Sequence, residues 1–181
     1  MTRPGAAFWL TGLPGSGKTA LARAAKTAMP GLVVLQMDEM RRVVTPNPTY
    51  SDLERDHLYL SLVFTAALLT REGMDVVMDA TANMRRWRDE ARRRIERFHE
   101  IYIRCPIELC REREASRRDA LAPRDIYKKA GEGWPVPGVN VPYEEPEAPE
   151  LVIDTGSLTL AEASERLAGY IRAVVGSPGG G

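Results

Sequence analysis

Gly12-Leu13-Pro14-Gly15-Ser16-Gly17-Lys18-Thr19 fits the pattern G-x-x-x-x-G-K-[ST] at every fixed position. The run before it, Ala6 to Thr11, is short and apolar and reads as a buried strand. The run after it, Ala20 to Met29, is rich in Ala, Leu, Arg and Lys and reads as a helix. Strand, glycine-rich turn and helix is the order a phosphate-binding loop requires. The glycines let backbone N–H groups turn inward around a phosphate, and the helix N-terminus adds partial positive charge. Lys18 is placed to reach the β- and γ-phosphates, and the Thr19 hydroxyl to meet Mg²⁺. The nucleotide-binding set is therefore Gly12, Leu13, Pro14, Gly15, Ser16, Gly17, Lys18, Thr19 and Ala20. The implied ligand is a nucleoside triphosphate, and the open question is what receives its phosphate.

Outward from this loop, apolar runs alternate with helical patterns. Leu32–Leu35 reads as a second strand and Asp75–Asp79 as a third, with Glu100–Arg104 and Leu151–Thr155 as the fourth and fifth. Strands alternating with helices predict an α/β fold: a five-stranded parallel sheet with helices on both faces. Ligands bind such a sheet at the carboxyl ends of its strands. Asp38 lies just past strand two, as a general base or a ligand to Mg²⁺-bound water, or else as the cap of the next helix. Asp79 ends strand three as a Mg²⁺-holding acid of the Walker-B type, or else as a turn former.

The helices carry their own signals. Ser51 with Glu54 forms a capping box for a helix running to about Thr70, with Leu58, Leu62, Ala66 and Leu69 inward. Thr159 with Glu162 caps the last helix, whose expected inner face is Leu160, Ala163, Leu167, Ile171 and Val174. Met84 to Phe98 holds seven arginines interleaved with Asp89, Glu90 and Glu96, mostly a solvated helix face and alternatively a nucleic-acid groove. Glu112 to Lys129 is densely charged, an arginine-bearing lid over the phosphates or else an exposed helix pair. Gly131 to Pro149 contains five prolines and reads as an ordered loop, with Trp134, Val136, Val139 and Tyr143 to bury.

Composition narrows the function classes. The chain has 181 residues and zero formal net charge, so no global field draws nucleic acid or an anionic membrane. No apolar run approaches membrane-spanning length, and the N-terminus runs into the first strand without room for a signal peptide, which predicts a cytoplasmic protein. Cys105 and Cys110, five apart with no second pair, read as reduced structural residues. A single domain over 1–176 and a disordered tail over 177–181 are expected.

The residues from Phe8 to Thr155 resemble the adenylyl-sulfate kinases. The first match is Trp9-Leu10-Thr11 leading into Gly12–Thr19. The more specific one is Tyr127-Lys128-Lys129-Ala130, then Pro137-Gly138-Val139-Asn140, Pro142-Tyr143-Glu144 and Pro146 to Thr155, because general P-loop kinases lack that loop. The resemblance implies a P-loop kinase fold with a charged lid that uses ATP and Mg²⁺ to phosphorylate adenosine 5′-phosphosulfate (APS) at its 3′-hydroxyl, giving PAPS and ADP. It also implies residue roles. Asp38 orients the 3′-hydroxyl, and Arg41 contacts the phosphosulfate. Tyr50 stacks on adenine, Arg55 holds the anion, and Thr81 and Ala82 line the substrate side. Arg124 faces the substrate, and Arg113 is a lid arginine near ATP. Together with Lys18, Asp38 and Arg113 form the catalytic set, and Thr19 and Asp79 the metal set. Family members are often dimers, so a homodimer is implied.

The departures fall on the substrate side. Gln36 stands where the family has Asp, Leu58 where it has Asn, Ala82 where it has Ser, and Val136 where it has a second stacking Phe. Asp79-Ala80-Thr81 followed by Arg88 also resembles a broader group that includes polynucleotide-kinase-like proteins. Another small-molecule or nucleic-acid hydroxyl therefore stands as the alternative acceptor, and a non-catalytic nucleotide-binding regulator as a third reading.

Overall fold

The structure is a computed structural model that describes residues 3–49, 51–116 and 125–176. Five strands, β1 (Ala7–Thr11), β2 (Val33–Gln36), β3 (Val76–Asp79), β4 (Phe98–Arg104) and β5 (Leu151–Asp154), form one sheet in the order β2-β3-β1-β4-β5. Every pairing is parallel, as predicted from the alternation of strands and helices. The helices are α1 (Lys18–Ala28), α2 (Met37–Val44), α3 (Asp52–Arg71), α4 (Arg85–Arg94), α5 (Ile107–Ala115), α6 (Ile126–Lys129) and α7 (Leu160–Gly176).

The pleat of β1 explains why both faces are covered. Its side chains alternate across the sheet and all five residues are buried. Ala7 and Trp9 join Leu58, Leu62 and Ala66 of α3 and Trp87 of α4 on one face. Phe8 and Leu10 join Leu21 and Ala25 of α1 and Leu167 and Ile171 of α7 on the other. Among the described residues no helix is long and apolar enough to cross a membrane.

Several local readings need correction. The predicted helix to Phe98 stops at Arg94, because Ile95 turns to extended backbone and Phe98 is needed beside Ala7 in the sheet. Arg88 is not on a solvated face but 1% exposed. Leu160 is 57% exposed at the first position of α7, and the buried face of the helix begins at Ala163. Val139 is 41% exposed at the tip of its loop. At α3 only half of the capping box forms. Glu54 N–H donates to Ser51 Oγ at 3.3 Å, but the Glu54 carboxylate accepts from the amide of Thr49 and from Arg41 instead of returning to Ser51. At α7 the box is complete, with Thr159 N–H to Glu162 Oε2 at 2.8 Å and Glu162 N–H to Thr159 Oγ1 at 3.3 Å.

Candidate active site

The loop after β1 has the backbone that its glycines permit. Gly17 has φ of +102° and caps α1, and Gly15 has φ of +80°. A Cβ on Gly15 would lie 2.4 Å from the Cys110 carbonyl oxygen, so α5 fits against this turn only if the residue is glycine. Thr155 Oγ1 donates to the Ser16 carbonyl at 2.8 Å, tying the loop to the end of β5. Lys18 Nζ donates to the carbonyls of Gly12 and Leu13 at 2.9 Å each, which holds the ammonium across the loop mouth. A cradle that a Cβ would fill, with an ammonium held over it, fits a polyphosphate.

The loop opens into a cavity of about 790 Å³ at the carboxyl ends of the strands. Pro14, Gly15, Gly17, Lys18, Thr19 and Ala20 form one wall. Gly12 and Ser16 are buried behind it, and the Leu13 side chain turns toward Gly138. Asp79 is opposite Leu10 on one side and Gln36 on the other, at the last paired position of β3, and it is 5% exposed on the cavity wall. Asp38 lines the same cavity from the first turn of α2. The cap position before it belongs to Gln36, so Asp38 is not the cap residue. The sheet order thus brings P-loop, Asp38 and Asp79 together from strands widely separated in sequence.

The opposite wall comes from α3 and the proline-rich loop. Arg55 and Tyr59, one turn apart on α3, both face the cavity. Tyr59 stacks between Trp9 and Trp87, and its hydroxyl accepts from the Ala82 N–H at 2.9 Å. Burial raises its pKa, opposed by that N–H, so the hydroxyl stays protonated. Arg41 lines the cavity while paired with Glu54 at 3.1 Å, which divides its charge between a carboxylate and the site. Arg113 lines it from α5, with its guanidinium donating to the Thr155 carbonyl at 2.8 Å. This arginine is braced by β5 rather than carried on a separate lid.

Thr81 lines the cavity, but Ala82 does not. It is fully buried with φ of +45°, so the expectation that its side chain faces substrate is corrected. Tyr50 and Arg124 lie outside the described residues, as do 117–124 of the expected lid and the tail 177–181. Asn83 lines the cavity, as expected for the stretch after Asp79; Arg23, Tyr59 and Trp134 also line it, and the sequence reading does not single them out as site residues. Two of them have a legible signal: Arg23 is four residues after Thr19, and Tyr59 four after Arg55, each on the same helix face. The arginines of α4 offer no open basic groove. Arg85 pairs with Glu147 at 2.5 Å and Arg86 with Asp56 at 2.7 Å, while Arg92 pairs with Glu150 and both Arg93 and Arg94 with Glu90.

Beside the loop, Cys105 and Cys110 are buried free thiols, in accord with their reading as reduced structural residues. Burial pushes the Cys110 thiol up to about 12. Among the described residues no cluster of three or more His, Cys, Asp or Glu could hold a metal ion alone. Thr19 and Asp79 share the cavity wall as hard oxygen donors, which suits a magnesium ion that keeps waters and shares phosphate oxygens.

Comparison with known proteins agrees with this geometry. Residues 4–154 match the family profile described as adenylylsulphate kinase. The adenylyl-sulfate kinase of Bacillus pumilus is 34% identical over 91% of this chain and 84% of its own length. The probable adenylyl-sulfate kinase of Archaeoglobus fulgidus is 37% identical over 82% of this chain and 94% of its own. The Mycobacterium tuberculosis APS kinase CysC, solved in complex with AMPPNP and APS, superimposes with a TM-score of 0.79 at 25% identity, covering 96% of this chain and 99% of that one. A P-loop, two strand-end acids and a proline-rich wall in this arrangement, with matches across nearly the whole length, establish that this chain belongs to the adenylyl-sulfate kinase family of P-loop kinases.

Proposed function

We propose that this chain transfers the γ-phosphoryl group of ATP to the 3′-hydroxyl of APS, giving PAPS and ADP. Family membership supports that reaction. The observation that carries the residue assignment is the single cavity shared by Lys18, Asp38 and Asp79.

The loop amides and the Lys18 ammonium take the charge of the β- and γ-phosphates. Magnesium, when bound, offsets charge on the same oxygens, and Thr19 with Asp79 are the residues that would hold it. Asp38 accepts a hydrogen bond from the 3′-hydroxyl and aims its oxygen at phosphorus. As the new O–P bond forms, the bond from phosphorus to ADP breaks and the hydroxyl proton passes to the Asp38 carboxylate. Arg113 faces the charge that develops on the transferring group, and Arg41 and Arg55 face the phosphosulfate. The work is positioning plus electrostatics, with each donor fixed before substrate arrives. Tyr50 and Arg124 keep the adenine-stacking and substrate-facing roles that the resemblance implies. A cytoplasmic homodimer belongs to the same reading, and exposed Leu60, Phe64 and Leu68 on α3 supply an apolar surface for it.

An acceptor panel tests this. ADP release should be fast with APS and slow with adenosine 5′-phosphate, which lacks the sulfate. Equal rates with both, or turnover only with an unrelated hydroxyl, would move the protein to another acceptor.

A further inference from the structure

The cavity wall contains two aromatic rings among its described residues, Tyr59 and Trp134. Tyr59 cannot serve a planar ligand, because Trp9 and Trp87 cover its two sides at centroid distances of 6.3 and 4.0 Å. Trp134 is differently placed. It is half-buried in the wall, followed by Pro135, Val136 and Pro137, and the Lys129 ammonium is 5.4 Å from its ring centroid.

The backbone around Trp134 is held by one side chain. Asn140 Oδ1 accepts from Val136 N–H at 2.7 Å, while Asn140 Nδ2 donates to the carbonyls of Trp134 at 2.8 Å and Ala130 at 3.1 Å. Trp134 N–H donates to the Lys129 carbonyl at 3.0 Å. The backbone that carries the ring is therefore held before any ligand enters, which lowers the ordering cost of binding. Its position along the cavity is also fixed. Arg55 Nη2 reaches the Pro135 carbonyl at 3.4 Å, so a guanidinium of α3 adjoins the residue after Trp134. A nucleotide needs that pairing, a cation for its 5′-anion and a flat apolar surface for its base, a few ångströms apart.

We propose that Trp134 is a substrate-positioning residue on which the purine base of the phosphate acceptor stacks. The inference rests on the acceptor being a nucleotide, as proposed above. It assigns the base to the α3 side of the cavity, with Arg55, and not to the Thr155 side where Arg113 is braced.

The protein carries its own reporter. Of its three tryptophans, Trp9 is 0% and Trp87 3% exposed, which leaves Trp134 as the indole at the cavity. Titration of the whole protein with APS or adenosine 5′-phosphate should quench tryptophan emission, and ribose 5-phosphate, which lacks a base, should not. Trp134→Ala should raise KM for APS by about tenfold with kcat and KM for ATP unchanged, because a base–aromatic stack is lost. Trp134→Phe should keep the wild-type KM while losing the signal. Thermal melts of both variants establish that they fold. Quenching by ATP but not by APS, or an unchanged KM for APS in Trp134→Ala, would overturn the assignment. Failure of the kinase reading looks different: the wild type would release no ADP with APS, while the quenching comparison would still decide whether a base stacks on Trp134.

Discussion

Arg88 and Glu100 form an ion pair inside the protein, with Arg88 Nε 2.5 Å from Glu100 Oε1 and the two side chains 0% and 8% exposed. The same guanidinium donates to the carbonyl of Ala82 and, at 2.5 Å, to that of Glu144. One side chain thus joins α4, β4, the loop after β3 and the proline-rich loop. Both loops contribute to the cavity wall, so the pair is a brace for the site as well as a core contact. Removing one partner leaves a buried charge, at a cost of about 3–5 kcal/mol. Arg88→Met should lower the urea midpoint accordingly, and Arg88→Met combined with Glu100→Met should recover part of the loss. A midpoint unchanged in the single variant would show that the pair is not a stabilising element.

Lys18 and Asp38 both line the cavity without either one belonging to the hydrophobic core, so replacing them should separate activity from stability. Lys18→Ala and Asp38→Ala should each reduce turnover by about 10²–10³-fold or more, the range seen on removing one preorganised electrostatic group. Melting temperatures should stay close to wild type. Near-normal turnover in Asp38→Ala would take that residue out of the mechanism.

Gly15 is a position where geometry forbids a side chain twice. Its φ is +80°, and any Cβ there would lie 2.4 Å from the Cys110 carbonyl oxygen. Gly15→Ala should weaken ATP binding by reshaping the loop and cost about 1–2 kcal/mol for the left-handed backbone alone. Calorimetric titration with a non-hydrolysable ATP analogue measures the first effect, and chemical denaturation the second.

His99 packs against Phe8 at a ring distance of 5.3 Å, and its Nδ1 is 2.8 Å from the Tyr170 hydroxyl. Burial lowers its pKa below the ordinary 6.5, with Arg97 and Arg92 acting in the same direction and Glu150 against them. The folded state therefore binds this proton less readily than the unfolded chain. Its contribution to stability is present above about pH 6.5 and is lost as pH falls through the lower folded value. Thermal melts between pH 8 and pH 5, roughly bracketing that window, should show a decline on the acid side that is smaller in His99→Gln. An identical decline in the variant would assign it to other groups.

The parts of the molecule set by local chemistry are legible in the sequence. The P-loop spacing, the strand-end acids and the Thr159–Glu162 box each depend on residues a few positions apart. Arg88 is not legible, because its run of arginines is indistinguishable by composition from a solvated face; only the distant Glu100 and Glu144 make burial possible. The early end of α4 has the same origin, since Phe98 pairs beside Ala7 across about ninety positions of chain. Ala82 turns away from the cavity because its backbone is set by Tyr59 and Arg88 rather than by its neighbours. Trp134 gives no sign of being a site residue, because nothing local shows which way a proline-rich loop folds back.

One cavity joins the P-loop to the proposed APS-binding wall, and Asp38, which lines it, is the residue proposed to meet the 3′-hydroxyl. Incubating the protein with magnesium, ATP and APS and locating the new phosphate by ³¹P NMR tests that arrangement most directly. The expected result is a 3′-phosphate on APS formed in equal amount with ADP, and formed about 10²–10³-fold more slowly in Asp38→Ala. ADP without a 3′-phosphorylated product, or the same product at the same rate in Asp38→Ala, would contradict it.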